Sequence, residues 1–163
     1  MKTYIGIDIG LKGAIAYIQA DGSIYCTPMP VIKDTLDPTE LMSALSRGGK
    51  AVAVFEKLGV IFGTAKSTAF SMGYQSGAVE VGCIAAGLTY TKVPAKQWQK
   101  DMFIGVDEIK NSKGKRDTKA MALVAVKRIF PQVKLTFGER ATKPHDGLVD
   151  ALLMAEWARR NNL

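Results

Sequence analysis

Four acidic residues carry the chemistry this sequence offers: Asp8, Glu56, Asp146 and Asp150. Asp8 stands in Ile5-Gly6-Ile7-Asp8-Ile9-Gly10. Strand side chains alternate between faces, so one face is all isoleucine and the other presents a carboxylate between two glycines. A buried acid without a partner is costly. Glycines on either side of it leave room for a large ligand near the backbone, here metal ions and a phosphate chain. Glu56 ends the apolar run 51–56 and shares a face with Val52 and Val54. Asp146 and Asp150 are four apart, hence on one face of a helix. Clustered carboxylates repel unless a cation lies between them. An all-oxygen set suits a hard divalent ion, Mg²⁺ with Mn²⁺ as its substitute. Two such ions roughly 3.5–4 Å apart can bracket a phosphodiester, one activating water and the other stabilising the leaving oxygen. Asp8 then bridges both ions, Glu56 holds one, and Asp146 with Asp150 holds the other. Plainer duties compete: Asp146 as a helix cap, and His145 as a loop histidine or a phosphate contact.

The elements that position these acids follow from pattern. Strands are expected at 3–10, 14–19 and 24–27, the last two joined by the hairpin signal Asp21-Gly22. Asp37-Pro38-Thr39-Glu40 starts a helix that ends near Gly48. The strand 51–56 is reached through that helix, so it should lie parallel to the first strand. A glycine-containing loop at 57–66, a long helix at 67–86, a strand at 88–93 and a helix opened by Pro94 come next. A mobile loop is expected at 104–115, then helices at 116–130 and 146–160. The order gives one domain over 1–163, an α/β fold with a five-stranded mixed sheet (three antiparallel strands plus two parallel) and helices on both faces. Phe70, Gly73, Gly77, Val81 and Ile84 recur on the long helix at roughly helical steps. This strip suits close packing, inside the domain or in a symmetric dimer. Trp98 and Trp157 read as core residues.

Lys and Arg number 22 against 15 Asp and Glu, a net charge of +7. Between Lys92 and Lys143 stand thirteen Lys or Arg and five Asp or Glu, so the excess is concentrated there. A basic excess points to a polyanionic partner, nucleic acid or an anionic membrane surface. The candidate DNA contacts are Lys12, Lys66, Lys110, Lys113, Arg116, Lys119 and Lys143, with Phe62 able to stack on an unpaired base. Lys115, at a loop-to-helix junction, is placed to stabilise charge on the scissile phosphate. One histidine leaves no material for a Ser-His-Asp triad or a His-rich zinc site. Cys26 and Cys83 read as free thiols. With no signal-peptide pattern and no membrane-length apolar run, an intracellular protein is expected.

The ordered blocks around Asp8, Val54-Phe55-Glu56, Gly73-Tyr74-Gln75-Ser76-Gly77, Val93-Pro94-Ala95-Lys96-Gln97-Trp98, Lys115-Arg116-Asp117-Thr118-Lys119 and Asp146-Gly147-Leu148-Val149-Asp150 resemble the RuvC-type Holliday junction resolvases of the ribonuclease H-like superfamily, in their phage and chloroplast branches. The resemblance implies a Mg²⁺-dependent homodimer, built on the long helix, that resolves four-way DNA junctions by paired nicks in a bacterium or phage-infected cell. It places Asp8, Glu56 and Asp150 on the family's acidic positions and Lys115 on its catalytic lysine. Where the family has an acid or histidine three residues before the last acid, this chain has Gly147. Asp146 or His145 is then left as the fourth ligand. Three other readings share these features: a nuclease for branched DNA or RNA–DNA hybrids, a non-catalytic junction-binding module, and a sugar-kinase or actin-like ATPase. The last shares Asp8-x-Gly10-x-x-Gly13 but needs a second such domain.

Overall fold

The computed structural model describes residues 2–59, 63 and 65–163. The Phe62 expectation falls outside them. The first strand, β1 (Thr3–Asp8), turns through Gly13 into β2 (Ala14–Ile18), and β2 turns through Asp21-Gly22 into β3 (Ile24–Pro28). These three pair antiparallel. A small hairpin follows, β4 (Val31–Ile32) with β5 (Thr35–Leu36). The sequence did not lead us to expect it, because Lys33 and Asp34 occupy the left-handed turn positions (φ 49° and 60°) that glycine or asparagine usually marks.

Helix α1 (Pro38–Ser46) starts as expected. The Asp37 side chain accepts from the Thr39 and Glu40 amides, with Pro38 in the first turn. It carries the chain over the sheet to β6 (Ala51–Glu56), parallel to β1, and α2 (Lys66–Ala85) does the same for β7 (Thr89–Val93). Helices α3 (Ala95–Met102), α4 (Thr118–Ile129) and α5 (Asp146–Arg160) complete the chain. The sheet order is β3-β2-β1-β6-β7, the expected mixed five-stranded arrangement.

Each face of β1 has its own core. Ile5 and Ile7 are fully buried with Leu41, Leu45 and Val79 of α1 and α2. On the other face, Tyr4 joins Val52, Val54 and Trp98 beneath Leu148, Leu152 and Leu153 of α5. Gly6 explains how close α5 comes. A Cβ there would lie 1.9 Å from the Ala151 carbonyl oxygen and 2.6 Å from the Ala155 nitrogen. The expectation that Gly6 makes space for metals and DNA is therefore corrected: Gly6 is filled by a helix backbone. Gly10 has only the Gly13 nitrogen near, at 4.0 Å, and does leave space.

The long helix buries only Gln75, Val79, Gly82 and Cys83. Phe70 is 77% exposed, Val81 64% and Ile84 61%, and Tyr74 is also exposed. The strip read from the sequence thus points away from the domain. Both cysteines are free, Cys83 buried and Cys26 partly so. The segment expected to be a mobile loop is closed on itself. Lys110 bridges Arg116, and the Asn111 side chain accepts from the Lys113 and Lys115 amides. Among the described residues no helix is long and apolar enough to cross a membrane.

Candidate active site

The acids meet at one end of the sheet. Asp8 is the last residue of β1, opposite Ala14 of β2. Ile7 stands beside Phe55 in parallel register, so Glu56 emerges next to Asp8. The start of α5 lies over this end. A Cβ on Gly147 would come 2.6 Å from Asp8 Oδ2 and 2.8 Å from the Lys12 carbonyl oxygen. Asp150 follows one helical turn after Asp146.

Asp8 and Asp150 are both shifted by burial and by the carboxylates around them. Asp8 is pushed up to about 7, first by burial and then by Asp150 and Glu56. Asp150 is pushed up to about 7, again by burial first, then by Glu56 and Asp146. Lys119 opposes both rises. A larger cavity, about 640 Å³ around Lys2, Tyr4 and Arg159, has no carboxylate in its lining.

Asp146 differs from its neighbours. It is exposed and pairs with Lys119, Nζ donating to Oδ2 at 2.8 Å. That hydrogen bond holds Asp146 below the usual carboxylate range. Asp146 is not the helix cap. The cap is His145, whose Nδ1 accepts from the Leu148 amide at 3.2 Å while its ring packs edge-on against Phe137. The gap at Gly147 also has a physical reason, since any side chain there would collide with Asp8 and the turn after β1.

The lysine that touches a site acid is Lys119. Lys115 is exposed at the end of the closed turn, its amide held by Asn111. Asp117 caps α4 by accepting from the Ala120 amide, so Lys119 falls in the first turn, facing α5. Lys119, Lys143, Asp146 and Asp150 line a cleft of about 270 Å³. Of the other expected contacts, Lys12, Lys66 and Lys113 are exposed. Lys110 lies 3.7 Å from Glu108, and the Arg116 guanidinium sits over the Phe103 ring.

Sequence reasoning missed a contact of Trp98. This fully buried indole donates from Nε1 to Glu56 Oε1 at 3.0 Å. Its signal was chemical: a buried indole N–H needs an acceptor, and the acceptor the fold supplies is Glu56.

The donor set suits a hard divalent ion, being oxygen only, with two acids raised by burial and by neighbouring carboxylates. It is not a ready-made cage. Among the described residues no three carboxylate, thiol or imidazole groups stand together as metal ligands. Asp146 is paired with Lys119, and one oxygen of Glu56 accepts from Trp98. Like charges with no cation between them stand apart, and an ion would offset that repulsion.

The mixed sheet in the order β3-β2-β1-β6-β7, with helices packed on it, is a ribonuclease H-like α/β fold. Solved structures narrow the fold to that of RuvC. Thermus thermophilus RuvC matches with a TM-score of 0.60 and 18% identity, over 98% of this chain and 96% of that one. The same protein in complex with a Holliday junction substrate gives 0.62 and 13%, with the same coverage. The yeast mitochondrial Holliday junction resolvase Ydc2 gives 0.57 and 13%, over 96% of this chain and 77% of that one. No protein-family model and no curated protein matches the sequence.

Proposed function

We propose that this chain is a structure-selective endodeoxyribonuclease that resolves four-way DNA junctions by paired nicks. The observation that carries the reading is the meeting of Asp8, Glu56 and Asp150, from three elements, at one end of a RuvC-like sheet. Solved proteins of this fold act on, or are bound to, Holliday junctions. In this reading Asp8, Glu56 and Asp150 hold two Mg²⁺ ions, for which Mn²⁺ substitutes, and Asp146 is the fourth carboxylate. Bound there, such ions supply an activated water and charge stabilisation at the leaving oxygen.

The chain's own groups do the rest. The Lys119 ammonium, beside Asp146 and the cleft, meets the scissile phosphate, the task first assigned to Lys115. A phosphate competing for Lys119 frees Asp146 from its ion pair. Lys12, Lys66, Lys110, Lys113, Arg116 and Lys143 hold the DNA backbone through contacts that weaken with salt.

Two nicks need two sites. The exposed face of α2 supports a homodimer, with Phe70, Tyr74, Val81 and Ile84 uncovered and open space beside Gly73 and Gly77. The working place is inside a bacterium or a phage-infected cell, where such junctions form. The test is incubation with a four-way junction, a linear duplex and an RNA–DNA hybrid in Mg²⁺, wild type beside Asp8→Asn. Paired cuts in the junction by the wild type alone are expected. A wild type that binds the junction but never cuts it, with Mg²⁺ or Mn²⁺, overturns the proposal. Equal cutting of duplex or hybrid would make it a broader ribonuclease H-like nuclease.

A further inference from the structure

Helix α3 carries none of the acids, yet it is bonded to two of the elements that do. Trp98 donates its indole N–H to Glu56 at the end of β6, at 3.0 Å. One turn along α3, Asp101 Oδ2 accepts from the Trp157 indole of α5 at 2.7 Å. Trp98 is fully buried among Val54, Val93 and Met102, and the Phe103 ring meets it edge-on at 6.1 Å between centroids. Its ring therefore cannot turn without repacking the core. An indole nitrogen donates one hydrogen bond and accepts none, so it can fix a carboxylate oxygen but cannot compete with that carboxylate for a cation.

We propose that Trp98 is a positioning residue for the metal site: its buried indole N–H holds Glu56 Oε1 and so aims Oε2 toward Asp8 and Asp150. The inference rests on the nuclease reading of the three acids. Outer groups that orient a ligand typically change metal affinity about 10- to 100-fold when removed. Trp157 supplies an internal comparison, a second indole–carboxylate pair, from α5 to Asp101 of α3, whose acceptor is not a site acid. The chain has only these two tryptophans.

The test is Mn²⁺ binding to the DNA-free full chain by calorimetry, wild type beside Trp98→Phe. Phenylalanine keeps an aromatic ring in the core and removes the donor. The expected result is about 10- to 100-fold weaker Mn²⁺ binding by the variant, with junction cleavage recovered at high Mn²⁺. A folded Trp98→Phe protein with wild-type Mn²⁺ affinity overturns the role of Trp98 and leaves the nuclease reading standing. A wild type that binds no divalent ion overturns both.

If Trp98→Phe does not fold, the wild type still decides. Its two indole N–H signals in ¹⁵N-edited NMR are assigned with Trp157→Phe. During a Mg²⁺ titration the Trp98 signal should shift in step with binding while that of Trp157 stays in place. A Trp98 signal unmoved at saturating Mg²⁺ overturns the proposal.

Discussion

Replacing Asp8 by asparagine should make the metal-free protein more stable, though on the proposed nuclease reading it removes a central metal ligand. Asp8 is raised from 3.8 to about 7 by burial, with Asp150 and Glu56 adding to the rise. Its folded-state value lies above its unfolded one, so the folded state binds the proton more tightly. The stability this gives is complete below about pH 4 and is lost as pH rises through 7. A change of about 3 units corresponds to at most about 4 kcal/mol. Asparagine has the same shape and no charge to desolvate. At pH 8 without divalent ions the variant should therefore be more stable by about 2–4 kcal/mol. In a chain of this length that is a rise in melting temperature of roughly 5–15 °C. At pH 4 the gap should nearly vanish. Mg²⁺ should stabilise the wild type and leave the variant little changed. The assay is thermal unfolding by circular dichroism at pH 4 and pH 8, with and without Mg²⁺. A variant less stable than wild type at pH 8 without metal, or a gap independent of pH, would refute the account of Asp8 as a charge held at a cost.

Gly147→Ala should be destabilising by several kcal/mol and inactive, since its Cβ lands 2.6 Å from Asp8 Oδ2 and 2.8 Å from backbone; a melt and a cleavage assay check it, and wild-type stability would contradict the contact. Lys119→Ala should lower the cleavage rate by about 100-fold or more, and Lys115→Ala much less. Single-turnover kinetics at saturating protein separate the two, and the reverse order would restore Lys115. If the proposed dimer forms, Phe70→Glu should turn it into monomers in sedimentation runs at micromolar concentration and uncouple the two nicks; a variant still dimeric would move the contact off α2, and a monomeric wild type would overturn the dimer.

The parts of the fold visible in sequence were those written in local chemistry. Asp37-Pro38 set the start of α1, Asp21-Gly22 the second turn, and the alternation of Ile5, Ile7 and Ile9 the orientation of Asp8. What stayed hidden depends on residues distant in the chain. Gly6 read as space for a ligand because nothing near it names Ala151, whose carbonyl occupies that space. Gly147 read as a missing acid, although Asp8 itself forbids a side chain there. That Lys119 and not Lys115 contacts Asp146 follows from the cap on Asp117, which decides which side chains of α4 face α5. Trp98 was correctly placed in the core, but the direction of its one polar atom needed the tertiary structure.

The seating of α5 on β1 has a mechanical consequence. With Ala151 and Ala155 pressed on Gly6, and Gly147 on Asp8 and the turn after it, strand and helix have no room to slide or rotate against each other. Asp8 and Asp150 therefore travel as one rigid body. On the nuclease proposal, adjustment to DNA would fall to the periphery, to the exposed Lys119–Asp146 pair and the closed turn at 110–116. In hydrogen exchange, the amides of β1 and the middle of α5 should be the last to open. In the proposed nuclease the geometry of the acids is thus stored in the most persistent part of the molecule, and the contact with branched DNA in parts that can yield.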